Sequence, residues 1–133
     1  MRIKLLLTML FCSVFSLSFA NTQHQHPAVE QTNKIKASVT SPGYCEIELI
    51  NLTNNYVTVT GLFDDNVSLT PFTIMPYDAP HYISLYYYGY CHNGMYLDLR
   101  ANGSLLYSKY TVVNTTLRVV PYADKLKTEI TIK

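Results

Sequence analysis

Apolar and polar residues alternate through most of the chain after residue 33, in short runs that Asn, Asp, Gly and Pro separate. The runs are rich in Val, Ile, Thr and Tyr, which favour strands, and no run keeps the 3.6-residue period of a helix. The pattern predicts strands over residues 34–40, 44–51, 56–63, 67–74, 82–91, 95–100, 105–112, 115–120 and 127–132.

Short strands at this spacing, with turn residues between them, are typical of all-β proteins. We therefore expect an antiparallel β-sandwich of about seven to nine short strands with one disulfide, immunoglobulin-like in architecture. This expectation concerns shape alone, because the sequence has no tryptophan and its cysteines do not follow the antibody pattern. The order of the strands does not follow from the sequence.

Three loops predict which side chains share a face. Asn102-Gly103 is a strong signal for a two-residue hairpin and, continued outward, places Asp98 opposite Tyr107. Three-residue loops over 92–94 and 53–55 would form two further hairpins. In this register one apolar set faces the core: Ile83, Leu85, Tyr87, Cys91, Met95, Leu97, Leu99 and Leu106.

The amino-terminal residues resemble a secretory signal peptide in composition. Arg2 and Lys4 precede an apolar run over 5–17, and small residues near Ala20 suit cleavage after that position. The run is too short to serve as a lasting membrane anchor. We therefore expect residues 1–20 to be removed and the protein to be exported, either to a periplasm or out of the cell.

The remaining chain divides into a flexible segment over 21–33, which lacks an apolar period, and one domain over 34–133. Loss of the leader leaves eight basic against nine acidic side chains, so there is no basic stripe for nucleic acid. It also removes Cys12, and Cys45 and Cys91 are then expected to form a disulfide. Two free reactive thiols are the alternative, which the lack of a C-x-x-C spacing disfavours.

The outward face of the predicted hairpins is unusually rich in tyrosine. Flat rings with hydroxyl groups offer a large contact area at low entropic cost, and Arg100 could stack over Tyr86. The expected binding face for a protein or carbohydrate surface comprises Tyr82, Tyr86, Tyr88, Tyr90, Tyr96, Asp98, Arg100 and Tyr107. Alternatively, the same rings only stabilise the sheet, or the flexible segment over 21–33 or a second copy of the chain covers them.

Other polar clusters carry weaker signals. His24 and His26 form an H-x-H pair that could hold a metal weakly, and the turn over 64–66 could offer oxygen atoms to calcium, but neither has a specific ligand spacing. Asp78 and His81 are close in sequence, yet no nucleophile is marked. We therefore predict no metal, no cofactor and no catalytic residue.

The leading hypothesis is a small exported binding module without enzymatic activity. The alternative is a structural or assembly component of a cell envelope or surface appendage that acts by edge-strand pairing, with 34–40 and 127–132 as the edges. No nucleic-acid partner is expected, and the oligomeric state is left open. Four N-x-S/T triplets would be glycan acceptors only in a host that glycosylates them: Asn51, Asn66, Asn102 and Asn114.

Overall fold

The computed structural model describes residues 22–30 and 44–133. Strands make up 61% of the structure, which confirms the all-β class. One four-residue helix, α1, covers Pro27–Glu30. The strands are β1 Gln23–His24, β2 Glu46–Asn51, β3 Val57–Phe63, β4 Phe72–Ile74, β5 His81–Ser84, β6 Tyr86–Tyr87, β7 Tyr90–Cys91, β8 Gly94–Ala101, β9 Ser104–Val112, β10 Thr115–Tyr122 and β11 Lys125–Ile132.

The strands form two main sheets and one small hairpin. The first sheet has the order β1-β5-β2-β10-β11 and the second the order β4-β3-β8-β9, while β6 and β7 pair with each other. Most pairs are antiparallel, but β1 runs parallel to β5 and β10 runs parallel to β2. Buried side chains of both sheets belong to one hydrophobic cluster.

The predicted apolar face is the core. Its members Ile83, Leu85, Tyr87, Met95, Leu97 and Leu99 are each at most 1% exposed. Cys91 and Leu106 are partly buried and pack against the same cluster. The alternation of apolar residues therefore identifies these inward side chains correctly, although it does not identify Tyr107, which is also buried.

The disulfide is confirmed. Cys45 and Cys91 are bonded, with their Cα atoms 5.7 Å apart. Cys45 lies just before β2 and Cys91 ends β7, so the bond attaches the β6–β7 hairpin to the first sheet. The backbone N–H of Leu85 also donates to the carbonyl of Cys45, at 2.9 Å.

Residues 82–91 do not form one strand, so that prediction is wrong. The first part is β5, and the chain then folds into the β6–β7 hairpin, in which Tyr87 pairs with Tyr90. Its two turn residues, Tyr88 and Gly89, both have positive φ, at 53° and 83°. That geometry suits a two-residue hairpin, and Gly89 supplies it without strain whereas Tyr88 adopts it against the usual preference.

The Asn102-Gly103 hairpin is confirmed at its tip but not along its length. A β-bulge between Leu99 and Arg100 shifts the pairing by one residue, so Leu99 faces Tyr107 where Leu106 was expected. Because side chains alternate across a strand, a slip of one residue exchanges the two faces. Tyr107 consequently points into the core and is 8% exposed.

Two other predicted hairpins are absent. β2 and β3, on either side of the 53–55 loop, belong to different sheets, and β8 pairs with β3 and β9, so the 92–94 loop forms no hairpin either. In the 67–74 segment only β4 is a strand, and Ser68 makes an isolated bridge to Leu62.

Residues 22–30 pack against the domain, although the sequence predicted a flexible segment over 21–33. β1 pairs with β5 over two residues, and His26 is 1% exposed. The segment packs on the domain because the aromatic rings of its two histidines, His24 and His26, lie against residues that are far away in sequence. The predicted signal peptide and the predicted strand over 34–40 lie outside the described residues.

Candidate binding surface

The outer face of the second sheet carries the exposed residues of β3, β8 and β9. Cross-strand pairs arrange it in rows across the sheet. The rows consist of Leu62, Tyr96 and Tyr110 at one end, then Thr60, Asp98 and Ser108, and at the other end Thr58, Arg100 and Leu105.

Five tyrosines lie at one end of this face and on the neighbouring β6–β7 hairpin. We call them the tyrosine patch, and they comprise Tyr86, Tyr88, Tyr90, Tyr96 and Tyr110, each between 40% and 60% exposed. Tyr96 and Tyr110 meet edge to face, with ring centroids 5.1 Å apart. The exposed rings thus come from two parts of the fold, the second sheet and the β6–β7 hairpin, which do not share a sheet.

The turn after β3 joins these two units. The Tyr88 hydroxyl donates to Asp65 at 3.0 Å, and the Tyr110 hydroxyl donates to Asp64 at 3.1 Å. The backbone N–H of Val67 donates to the other carboxylate oxygen of Asp65, at 3.1 Å. The two adjacent carboxylates therefore connect the hairpin to the sheet.

The ionisation states agree with this arrangement. The hydrogen bond to Asp65 raises the pKa of Tyr88, and burial together with the hydrogen bond to Asp64 raises the pKa of Tyr110. Burial alone would raise the pKa of Asp65, but the hydrogen bonds from Val67, Tyr88 and His26 outweigh it and lower that pKa. At neutral pH both hydroxyls therefore remain protonated donors, and Asp65 is an ionised acceptor.

A layer of stacked rings supports the patch from below. His92 stacks on Tyr87 at 3.6 Å between centroids and on Tyr90 at 4.1 Å, and His26 also stacks on Tyr87, at 4.2 Å. His26 Nε2 lies 2.9 Å from Asp65 Oδ2, and its Nδ1 accepts from the Ala28 N–H at 3.0 Å. Burial and the nearby aspartates raise the pKa of Tyr87 to about 12.

The structure brings together four of the predicted site residues, namely Tyr86, Tyr88, Tyr90 and Tyr96. Asp98 lies in the middle row of the same sheet face, where it accepts from the Ser108 hydroxyl at 2.5 Å. Arg100 lies two residues beyond Asp98 on β8. It does not stack on Tyr86, since Lys127 over Tyr122 is the one cation–π contact within residues 22–30 and 44–133.

Two predicted residues lie elsewhere, and one member of the patch was missed. Tyr82 belongs to the first sheet, where its hydroxyl donates to Glu48 at 3.3 Å. Tyr107 is buried and shares a hydrogen bond of 2.9 Å with Thr111. Tyr110 occupies the outward position that the unshifted register gave to Lys109, because the bulge is not visible in the sequence.

A second polar cluster lies beside β1. His24 Nε2 is 2.9 Å from His81 Nδ1, and His81 Nε2 is 3.1 Å from Asp78 Oδ2. The His24 ring stacks on Phe72 with centroids 3.4 Å apart. Burial, followed by the charge of His81, lowers the pKa of His24 to about 4, and the hydrogen bond from His81 lowers the pKa of Asp78.

This second cluster is neither a metal site nor a catalytic triad as it stands. His24 and His26 contact different partners, so the H-x-H pair does not converge, and no group of three or more His, Cys, Asp or Glu among the described residues could hold a metal ion. In that same part of the chain no serine, threonine or cysteine side chain is hydrogen-bonded to His24 or His81.

Comparisons with protein-family models, with curated proteins and with solved structures find no match to the chain. No helix within the described ranges is long and apolar enough to cross a membrane.

Proposed function

We propose that the protein is a small exported binding module, without enzymatic activity, whose tyrosine patch recognises a protein or glycan surface. The observation that carries the proposal is the patch itself, with its five half-exposed rings. Two aspartates hold the hydroxyls of Tyr88 and Tyr110, and the buried ring of His92 stacks on Tyr90. Rings that are already ordered lose little conformational freedom on binding, and tyrosine is enriched at the energetic centres of interfaces.

The reading in which these tyrosines serve only the sheet is less well supported. Cross-strand aromatic pairs do stabilise a sheet, and Tyr96 with Tyr110 is such a pair. Tyr88, however, sits at the tip of a hairpin with positive φ and is 60% exposed. An ordinary hairpin tip would carry Asn or Gly at that position, so a strained and exposed tyrosine favours a role in contact with a partner.

We also propose that the two sheets face each other as a sandwich of immunoglobulin-like architecture. Their buried side chains form one cluster, as the inner faces of a sandwich would. Export is supported by the disulfide, which persists in oxidising compartments.

The test is a binding screen of the purified protein against a glycan array and against cell-surface protein extracts. The variant is Tyr88→Ser with Tyr96→Ser, two residues that are each 60% exposed. The matched control is Tyr77→Ser with Tyr122→Ser, which removes two rings that are 66% and 61% exposed and lie outside the patch. Near-ultraviolet circular dichroism and urea midpoints establish that all the chains are folded.

A ligand retained by the wild type and the control, but lost by the patch variant, is the expected result. If the patch variant retained the ligand as well as the wild type does, the tyrosine patch would not be the binding surface. Loss by both variants would show that the effect is not specific to the patch, and it would also count against the proposal.

The second candidate is assembly by edge-strand pairing. β11 is the terminal strand of its sheet within the described residues, and it exposes Ile130 and Ile132 at 49% and 66%. A long edge with exposed apolar residues favours pairing with another chain. Light scattering during size-exclusion chromatography tests this role: a mass that rises with concentration and falls for Ile130→Lys supports it, and a constant monomer mass contradicts it.

A further inference from the structure

A shallow depression of about 440 Å³ lies at the opposite end of the second sheet from the tyrosine patch. Two loops that are distant in sequence form it: the connection from β2 to β3 and the β8–β9 turn. It is lined by Asn54, Asn55, Tyr56, Thr58, Arg100 and Asn102. Arg100 is four residues from Tyr96 along β8, or about 13 Å, so the depression is separate from the patch.

A buried polar network holds the first loop rigid. Asn51 and Thr53 are both 0% exposed. The Asn51 amide donates to the Asn55 carbonyl at 2.6 Å and to the Met75 carbonyl at 3.1 Å, and its oxygen accepts from the Thr53 hydroxyl at 2.7 Å. Burying so many polar atoms stabilises little by itself, but a fully bonded network fixes one loop conformation.

The two loops are also bonded to each other. Asn102 Nδ2 donates to Asn55 Oδ1 at 2.8 Å, and Asn55 Nδ2 donates to Asn54 Oδ1 at 3.0 Å. This chain of amides leaves the Asn54 Nδ2 group at its end with no hydrogen-bond partner among the described residues. The walls of the depression are therefore set before any ligand arrives, and an amide donor is available on one of them.

The remaining lining residues offer a charge and an aromatic surface. The Arg100 guanidinium forms no hydrogen bond, ion pair or ring contact with any described residue. By contrast Lys127 and Lys133 are paired with Glu129 and Glu48. Tyr56 is 59% exposed and likewise has no partner for its hydroxyl or ring within the described chain.

We propose that this depression binds a sugar ring that carries a carboxylate, such as a uronic or sialic acid unit of a glycan. The Arg100 guanidinium takes the carboxylate in a bidentate contact, the C–H face of the sugar ring packs on Tyr56, and amide groups of the two loops bond its hydroxyls. A simple anion would use only Arg100, and a neutral sugar would leave the guanidinium unpaired. The combination of lining groups therefore favours an acidic sugar over either.

Nuclear magnetic resonance titration of the isotope-labelled protein tests the proposal, with sodium glucuronate and N-acetylneuraminate as probes. We expect saturable shifts of the Asn54, Asn55 and Asn102 amides by one or both acids, with a dissociation constant of about 1–10 mM. Glucose and acetate should each bind at least about tenfold more weakly. Arg100→Gln should weaken binding of the acid at least about tenfold, and Tyr56→Ala should do the same while Tyr56→Phe retains it.

Lys109→Gln is the matched control, because Lys109 is also exposed on the second sheet and its side chain has no partner among the described residues. This control should leave the affinity unchanged. The Tyr88→Ser, Tyr96→Ser variant should also bind the acid normally, so the depression and the tyrosine patch can fail independently. Absence of saturable shifts up to about 50 mM, acetate binding as tightly as the acidic sugars, or an unaffected Arg100→Gln variant would overturn the proposal.

Discussion

Replacing His26 with alanine is the sharpest test of how the amino-terminal segment is attached. The ring is 1% exposed and lies 4.2 Å from Tyr87 and 4.7 Å from Phe63, between centroids. Removing a large buried ring costs about 2–5 kcal/mol, and the two hydrogen bonds add about 1–2 kcal/mol. Because undocking of residues 22–30 limits the loss, we expect the free energy of unfolding to fall by about 3 kcal/mol.

Urea denaturation followed by fluorescence of the tyrosines measures this loss. His26→Phe is the informative companion, because it keeps the stacked ring but removes the hydrogen bonds that His26 makes with Asp65 and with the Ala28 N–H. We expect it to lose about 1–2 kcal/mol, less than the alanine variant. Exposed Lys109→Gln should change the stability by less than about 0.5 kcal/mol. If His26→Ala is as stable as the wild type, residues 22–30 are not held to the domain as described.

Three further changes give measurable stability effects. Replacing Cys45 and Cys91 with alanine should lower the free energy of unfolding by about 4 kcal/mol, since the bond closes a loop with a sequence separation of 46, and an unchanged urea midpoint would contradict this. Gly61→Ala places a Cβ atom 2.7 Å from the Tyr96 carbonyl oxygen, so we expect the free energy of unfolding to fall by about 1–3 kcal/mol in the same assay. A fall of less than about 0.5 kcal/mol would be evidence against that close approach. His24 has a pKa lowered from 6.5 to about 4, so its neutral form supports the fold above pH 6.5 and that support is lost as the pH falls towards 4. After allowance for the partial exposure of His24, the loss in free energy of unfolding is about 1–2 kcal/mol. The stability of His24→Phe should therefore change less between pH 7 and 4.5 than that of the wild type. An equal change in both proteins would refute the lowered pKa of His24.

The pattern of residues along the chain was enough to predict the all-β class and the core residues. Alternation places Leu97 and Leu99 inward, and both are at most 1% exposed. The disulfide followed from counting the cysteines that remain after the predicted leader is excluded. These inferences need only local periodicity and compartment chemistry, and neither depends on which strands become neighbours.

The strand pairing could not be obtained in this way, because it depends on long-range choices. The pairing of β2 with β10 is parallel and joins residues nearly seventy positions apart, such as Thr116 with Glu48. The bulge at Leu99 and Arg100 exchanges Tyr107 for Tyr110 on the outer face without any mark in the sequence. The turn at Tyr88-Gly89 had a weak signal, since Gly89 interrupts the predicted strand.

Only part of the tyrosine patch could be predicted from the sequence, for the same reason. A run of tyrosines spaced two residues apart indicated an aromatic face, and Tyr86, Tyr88 and Tyr90 do lie on exposed positions. Asp65, which accepts from Tyr88, comes from a turn more than twenty residues away, which periodicity cannot connect to the tyrosines. The same limit applies to Tyr56 and Arg100, which only the pairing of β3 with β8 brings together.

The most direct test of the binding account follows the tyrosine side chains themselves while a ligand from the screen is added. With ring-labelled tyrosine, each of the 12 residues reports separately in a nuclear magnetic resonance titration. The account predicts that the shifts concentrate on Tyr86, Tyr88, Tyr90, Tyr96 and Tyr110, while exposed Tyr77 and Tyr122 remain unchanged. Shifts confined to Tyr122 and the β11 edge, with the five patch resonances unmoved, would contradict it.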